Sequence, residues 1–320
     1  MRILITGGSG MVGNAFKEYE GCHLLSSKEC DLREYSDVVK TICRYNPDAI
    51  IHLAAKVGGV NGNMKNQYDF FHDNLNINSN ILKAANQCNI QYVISMLSTC
   101  IYPEKAQLPY TENQLHLGEP HPTNFGYAYA KRMLDVDSRI YREQFGRHYI
   151  CVIPNNIYGT HDNFDLINGH VLPSLIRKTY EAKINNADLL VWGDGTSLRE
   201  FTYSRDVARS IMRILNNVVA LYKKVDILPV SLHRVNIGNT NEYTIKNVVE
   251  IICEQFDYKG NIVWDTSKPA GIYRKPTSNQ AFKQIFLESD EKDNWFTSFE
   301  VGIKETCEWF VNNYPNVRGV

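Results

Sequence analysis

Residues 2–13, RILITGGSGMVG, place an apolar β-branched run directly against a turn containing Gly7, Gly10 and Gly13. A strand must here become a helix within a few residues. Glycine at these points allows close backbone approach, and the first N–H groups of the helix are left to meet an anion such as a pyrophosphate. The same alternation continues along the chain. Apolar runs at 23–26, 49–54 (AIIHLA), 91–97 (QYVISML) and 148–154 (HYICVIP) are separated by helix-period segments near 11–20, 36–44, 67–87 and from Tyr127 onward. Strand and helix repeated in this way require right-handed crossovers and a parallel sheet covered on both faces.

The expected class is therefore α/β, a Rossmann-type doubly wound parallel sheet over residues 1–165. Beyond it the pattern turns mixed, with helices near 171–182, 244–256 and 299–313 between short strands. This predicts a smaller C-terminal α/β lobe over 166–320, interleaved with the first domain and closing over the crevice at the carboxyl ends of the strands. No Pro/Gly/Ser-rich linker divides the two.

A formal net charge of -1 and a sequence pI near 6.8 give no overall attraction to nucleic acid or to an anionic membrane. No run approaches the roughly 18 apolar residues of a membrane span. The eight cysteines form no CxxC pair and no Cys/His spacing, so neither a metal nor a disulfide framework is expected. A soluble, cytoplasmic protein is the expectation.

After the second strand a carboxylate would bind a ribose hydroxyl and repel a 2′-phosphate. Here the chain has Ser26, Ser27 and Lys28, which suit a phosphate and favour NADP over NAD, although Glu29 follows. Tyr127 and Lys131, four residues apart in FGYAYAKRM, share one helix face. A phenol beside an ammonium is a better acid and base, as proton transfer to a carbonyl oxygen during hydride transfer requires. Ser98, at the end of QYVISML, can donate to the same oxygen.

TGGSGMVG, YAYAK, WGDGTSLREF and NIGN together make the chain resemble an extended short-chain dehydrogenase/reductase acting on nucleotide sugars, along nearly its full length. The resemblance implies a cofactor cradle of Gly7, Gly10, Met11, Val12 and Gly13, with Ser27 and Lys28 at the adenosine end. Leu97, Lys131, Pro154, Asn156 and Ile157 complete it.

Dehydratases of that family carry an acidic pair just after the serine-threonine dipeptide, where this chain has Cys100 and Ile101. A thiol suits another task, proton abstraction next to a ketone, with a second group reprotonating the opposite face. Its ordinary pKa of about 8.5 needs only a modest lowering by a nearby cation to give a base near neutral pH. His170, ahead of a helix in the second lobe, is one candidate for the second group, and His52, His121 and His161 compete with it.

LSTCIYP, HLAAKVGG, NFGYAYAKRM, YGTHDNF and GHVLP, in that order, are similar to the members of the family that epimerise and then reduce a GDP-linked 4-keto-6-deoxy-mannose. That similarity implies Cys100 and His170 as the proton-moving pair, Ser98, Tyr127 and Lys131 as the reductase set, and NADPH as the cofactor. It also implies substrate contacts at Lys178, Trp192 and Arg199, and a homodimer joined through the helices near 67–87 and from Tyr127. Three positions depart from the pattern: Asn155 and Thr160, where threonine and proline are usual, and Ala270, where an acidic residue is usual. Competing expectations are a 4-epimerase that retains its NAD and a non-enzymatic dinucleotide-binding regulator.

Overall fold

The computed structural model describes residues 1–58, 60–222, 232–267 and 272–320. The departure at Ala270 lies outside the described residues. In chain order the first half comprises β1 (Ile3–Thr6), α1 (Met11–Asn14), β2 (Cys22–Leu25), α2 (Tyr35–Tyr45) and β3 (Ala49–His52). There follow α3 (Val60–Lys65), α4 (Gln67–Gln87), β4 (Tyr92–Met96), α5 (Phe125–Phe145), β5 (His148–Pro154) and β6 (Asn156–Tyr158). The second half holds α6 (Val171–Ile184), β7 (Leu189–Trp192), β8 (Leu198–Tyr203), α7 (Ser204–Tyr222), β9 (Arg234–Ile237) and β10 (Glu242–Thr244). It ends with α8 (Ile245–Gln255), β11 (Ile262–Asp265), α9 (Gln280–Phe286) and α10 (Phe299–Asn313).

The main sheet has the order β2-β1-β3-β4-β5-β9 with every neighbouring pair parallel. Side chains alternate across it: Ile3 and Ile5 face α7 with Ile211, Ile214 and Leu215, whereas Leu4 and Ile50 face α2 and α4 with Val38, Ile81 and Leu82. Both faces are buried, which is why these strands read as unbroken apolar runs. Strand order reverses between β1 and β3, so a crevice opens at their carboxyl ends beside the glycine turn.

A three-stranded sheet β10-β8-β6 and a parallel pair β11-β7 build the second lobe around a separate core with Phe164, Phe201, Phe299 and Phe310. α7 and β9 come from the second half of the chain yet complete the first sheet and its helical cover.

The helix expected over 11–20 is α-helical only to Asn14 and continues as a 3₁₀ turn over Ala15–Glu18. The Asn14 side-chain amide donates back to Ser9 O at 3.0 Å and Gly10 O at 2.9 Å, and the Ala15 N–H turns to Val12 O, the tighter spacing of the 3₁₀ turn.

Candidate active site

The glycine turn is tighter than a surface loop needs to be. Gly7 adopts φ +71°, and a Cβ on it would lie 2.9 Å from Ala54 N. A Cβ on Gly13 would lie 2.4 Å from Gly7 O and 2.7 Å from Gly8 Cα. The first helical bond is donated by Asn14 to Gly10 O at 2.9 Å, so the N–H groups of Met11, Val12 and Gly13 precede the helical ladder. These donors and the absent side chains form a cradle of the kind an anionic pyrophosphate fits.

At the end of β2, Glu29 folds back. Its carboxylate accepts from Ser26 N at 2.9 Å and Ser26 Oγ at 2.8 Å, and these bonds hold it below the usual carboxylate range. Ser27 and Lys28 are left exposed. The one carboxylate that argued against a 2′-phosphate is thus committed to its own turn. Further along the crevice Leu97 is buried, its N–H held by Val152 O at 2.8 Å. Asn156 donates to Glu200 O at 2.6 Å, fixing the Pro154–Ile157 stretch against β8. The unusual Asn155 has a structural task, donating to Glu200 at 3.0 Å and to Asn239 O at 2.8 Å while accepting from Thr202. Thr160 is half-buried in the loop after β6.

Ser98, Cys100, Tyr127 and Lys131 come together. Ser98 caps the 3₁₀ turn Thr99–Ile101, and its hydroxyl hydrogen-bonds the Cys100 sulfur. Tyr127 and Lys131, both on α5, lie within electrostatic reach of that sulfur. Burial pushes the Tyr127 phenol up, so it carries its proton at neutral pH. Burial also pushes the Lys131 amine down to about 8, while its Nζ donates to Met96 O at 2.8 Å. The expected lowering of the thiol is reversed: Ser98, Lys275 and Lys131 pull the Cys100 pKa down, but burial outweighs them and the net shift is upward. The tyrosine is likewise raised, by burial first and by the neighbouring Cys100 second.

A buried relay sets the height of Lys131. Ala54 N–H donates to Thr6 Oγ1 at 3.2 Å, Thr6 pairs with His52 Nδ1 at 2.8 Å, His52 Nε2 with Asn78 Oδ1 at 3.0 Å, and Asn78 Nδ2 donates to Ala130 O at 3.2 Å. For every hydrogen to be used, His52 must be neutral with its proton on Nε2. Burial, with Lys131 adding to it, pushes its pKa down to about 3. The chain of bonds ties β1, β3 and α4 to the residue preceding Lys131.

His170 stands at the N-cap position of α6 without a side-chain cap bond; the residue as a whole keeps solvent access, yet the protein packed around its ring, with Lys275 and Arg318 adding to it, lowers its pKa. The three competing histidines are engaged elsewhere: His52 in the relay, His121 with Thr123 and Glu104, and His161 against Trp309 with ring centroids 4.6 Å apart. Lys178 and Trp192 are brought together, the ammonium 5.0 Å from the ring centroid and donating to Leu190 O at 3.3 Å. Arg199, on β8, donates to Tyr273 O at 3.2 Å and stands beside Lys275.

Lys275 is the residue sequence reasoning missed. It lies within electrostatic reach of Cys100, His170 and Arg199 together. Its segment is pinned by Thr277 N–H to Glu200 at 2.9 Å and by Tyr110 N–H to Pro276 O at 2.9 Å. Nothing in YRKPT distinguishes it from surface charge. Arg132 and Asn78 were also missed, the latter although it falls on the apolar stripe of α4 with Phe70, Asn74, Ile81 and Leu82.

Residues 3–238 match the NAD dependent epimerase/dehydratase family. A GDP-L-fucose synthase of Dictyostelium discoideum is 41% identical over 324 residues, spanning 99% of this chain and 97% of that protein. A probable GDP-L-fucose synthase of Drosophila melanogaster is 36% identical, covering 99% of both. The crystal structure of a GDP-L-fucose synthetase from Naegleria fowleri bound to NADP superposes with a TM-score of 0.87 at 39% identity, over 99% of this chain and 94% of that one.

Proposed function

The chain belongs to the NAD dependent epimerase/dehydratase family, and from that premise we propose that it converts GDP-4-keto-6-deoxy-D-mannose to GDP-L-fucose as an NADPH-dependent 3,5-epimerase and 4-reductase. One observation carries the reading: a cysteine hydrogen-bonded to the active-site serine, with Tyr127 and Lys131 alongside, in a chain 41% identical to a GDP-L-fucose synthase.

The 4-ketone acidifies the hydrogens at C3 and C5. The Cys100 thiolate takes the proton, the C–H electron pair moves into the carbonyl to give an enolate, and the Ser98 and Tyr127 hydroxyls hold its oxygen. His170 returns a proton to the opposite face. The anionic diphosphate entering among Lys275 and Arg199 offsets the cations that lower this histidine and so favours its protonated form.

NADPH, when bound, supplies hydride to C4. The N–H groups of Met11, Val12 and Gly13 would meet its pyrophosphate, Lys28 and Ser27 its 2′-phosphate, and Leu97, Pro154, Asn156 and Ile157 the nicotinamide end. Lys131 would hold the nicotinamide ribose. Tyr127, protonated at neutral pH, gives its proton to the C4 oxygen. Arg199 grips the diphosphate, and the Lys178–Trp192 pair borders the nucleotide.

The reading assigns cofactor binding mainly to residues 1–165 and substrate binding mainly to 166–320. It takes the molecule to be a cytoplasmic homodimer paired through α4 and α5; the exposed Met133, Val136 and Ile140 on α5 support the pairing. Cys100→Ser is the test. The variant should bind NADPH as before and reduce the ketone while losing inversion at C3 and C5, so that an unepimerised 6-deoxyhexose accumulates. GDP-L-fucose formed at the native rate would remove Cys100 from the mechanism.

A further inference from the structure

Arg132 follows Lys131 on α5 and is 4% exposed. Its Nε donates to Ile101 O at 2.7 Å and its Nη1 to Gly118 O at 2.7 Å, while the guanidinium lies 5.4 Å from the Tyr129 ring centroid. Nη2 is buried and has no partner among the described residues. Ile101 ends the 3₁₀ turn that carries Cys100, and Met96 ends the strand before it. Lys131 holds the Met96 carbonyl and Arg132 the Ile101 carbonyl. Two consecutive side chains therefore bracket the segment containing Ser98 and Cys100.

We propose that Arg132 is a positioning residue for epimerisation, fixing the Cys100 turn and stabilising the thiolate with its buried charge. The proposal rests on the reading of Cys100 as the base. A buried guanidinium with an unused N–H₂ group is costly unless a negative charge forms nearby. Burial indeed lowers its own pKa, and Cys100 is among the groups that raise it. The groups around the sulfur are the Ser98 hydroxyl, Tyr127, Lys131 and Arg132 from α5, and Lys275 from the segment ahead of α9. Arg132 in turn faces Tyr129 and Glu119. A proton leaving carbon for sulfur moves one negative charge from the thiolate to the enolate and leaves a neutral thiol, so the resting thiolate fraction sets the rate.

The test uses the full chain and iodoacetamide, with alkylation resolved on the Cys100 peptide as a function of pH. Arg132→Gln should move the half-maximal pH upward by about one unit, about tenfold slower labelling near neutrality. Arg132→Lys, which keeps the charge, should stay nearer the parent protein, and both should bind NADPH normally as evidence of folding. A parent-like profile in a folded Arg132→Gln protein would overturn the proposal, as would equal shifts in both variants. Solvent-deuterium exchange in Cys100→Ser separates the two readings: persistent exchange would remove Cys100 as base while leaving the alkylation result standing.

Discussion

Gly13→Ala is the most informative single change in the cofactor cradle. The added Cβ would sit 2.4 Å from Gly7 O, where ordinary contact begins at 3.4 Å, so the helix start must retreat from the turn by about 1 Å. Val12 and Phe16 pack into the core just there, and overpacking of this kind costs about 1–3 kcal/mol of stability. The same shift carries the N–H groups of Met11, Val12 and Gly13 away from the pyrophosphate. Losing about 1.4 kcal/mol of their contribution weakens NADPH binding tenfold. Gly10→Ala is the internal control, because its Cβ would meet only Gly7 O at 3.2 Å. Fluorescence titration with NADPH, alongside urea denaturation to confirm folding, should show Gly13→Ala weakened at least about tenfold and Gly10→Ala less. Equal binding by Gly13→Ala and the parent, or a larger effect at Gly10, would refute the steric argument.

Three further outcomes follow from the same structure. Lys28→Ala should weaken NADPH by about fivefold relative to NADH, the order of one exposed ion pair at about 1 kcal/mol, since Glu29 stays committed to Ser26; parallel loss of both cofactors would place the 2′-phosphate elsewhere. Asn78→Leu leaves His52 Nε2–H unpaired in the core and removes the second bond to Ala130 O, which keeps its partner within α5, costing about 1–3 kcal/mol in denaturant unfolding. A cost below about 1 kcal/mol would mean that the relay does not brace the helix of Lys131. The Cys100 thiol is raised, so its thiolate fraction grows as pH rises toward the folded pKa. Deuterium wash-in by a His170→Gln protein, in which the histidine no longer titrates, should therefore climb about tenfold per pH unit through neutrality, whereas reduction of an already epimerised substrate by the parent, with Tyr127 protonated throughout, should stay flat. A flat wash-in profile would contradict the thiolate base.

The strands and helices of the first half are legible because both faces of a parallel sheet are buried, which leaves apolar runs that no surface element would carry. α7 was not among the expected helices, although Val207, Ala208, Ile211, Ile214, Leu215 and Val218 follow a helical period. What sequence alone does not show is that this helix and β9 return to the first sheet, since that pairing is non-local. At the site, Ser98, Tyr127 and Lys131 carry a spacing that chemistry explains. Lys275 carries none, because its importance comes from a segment held by Glu200 and Tyr110, residues far away in the chain. The sign of the Cys100 shift was hidden for a related reason. Neighbouring cations can be inferred from motifs, but the burial that outweighs them arises only when α5 and the 3₁₀ turn close on each other.

The most direct measurement is NMR of the product formed in deuterated water from GDP-4-keto-6-deoxy-mannose and NADPH. GDP-L-fucose carrying solvent deuterium at both C3 and C5 is the predicted result. A reduced 6-deoxy sugar without deuterium at either carbon would contradict it, leaving a reductase in which Cys100 and His170 move no protons.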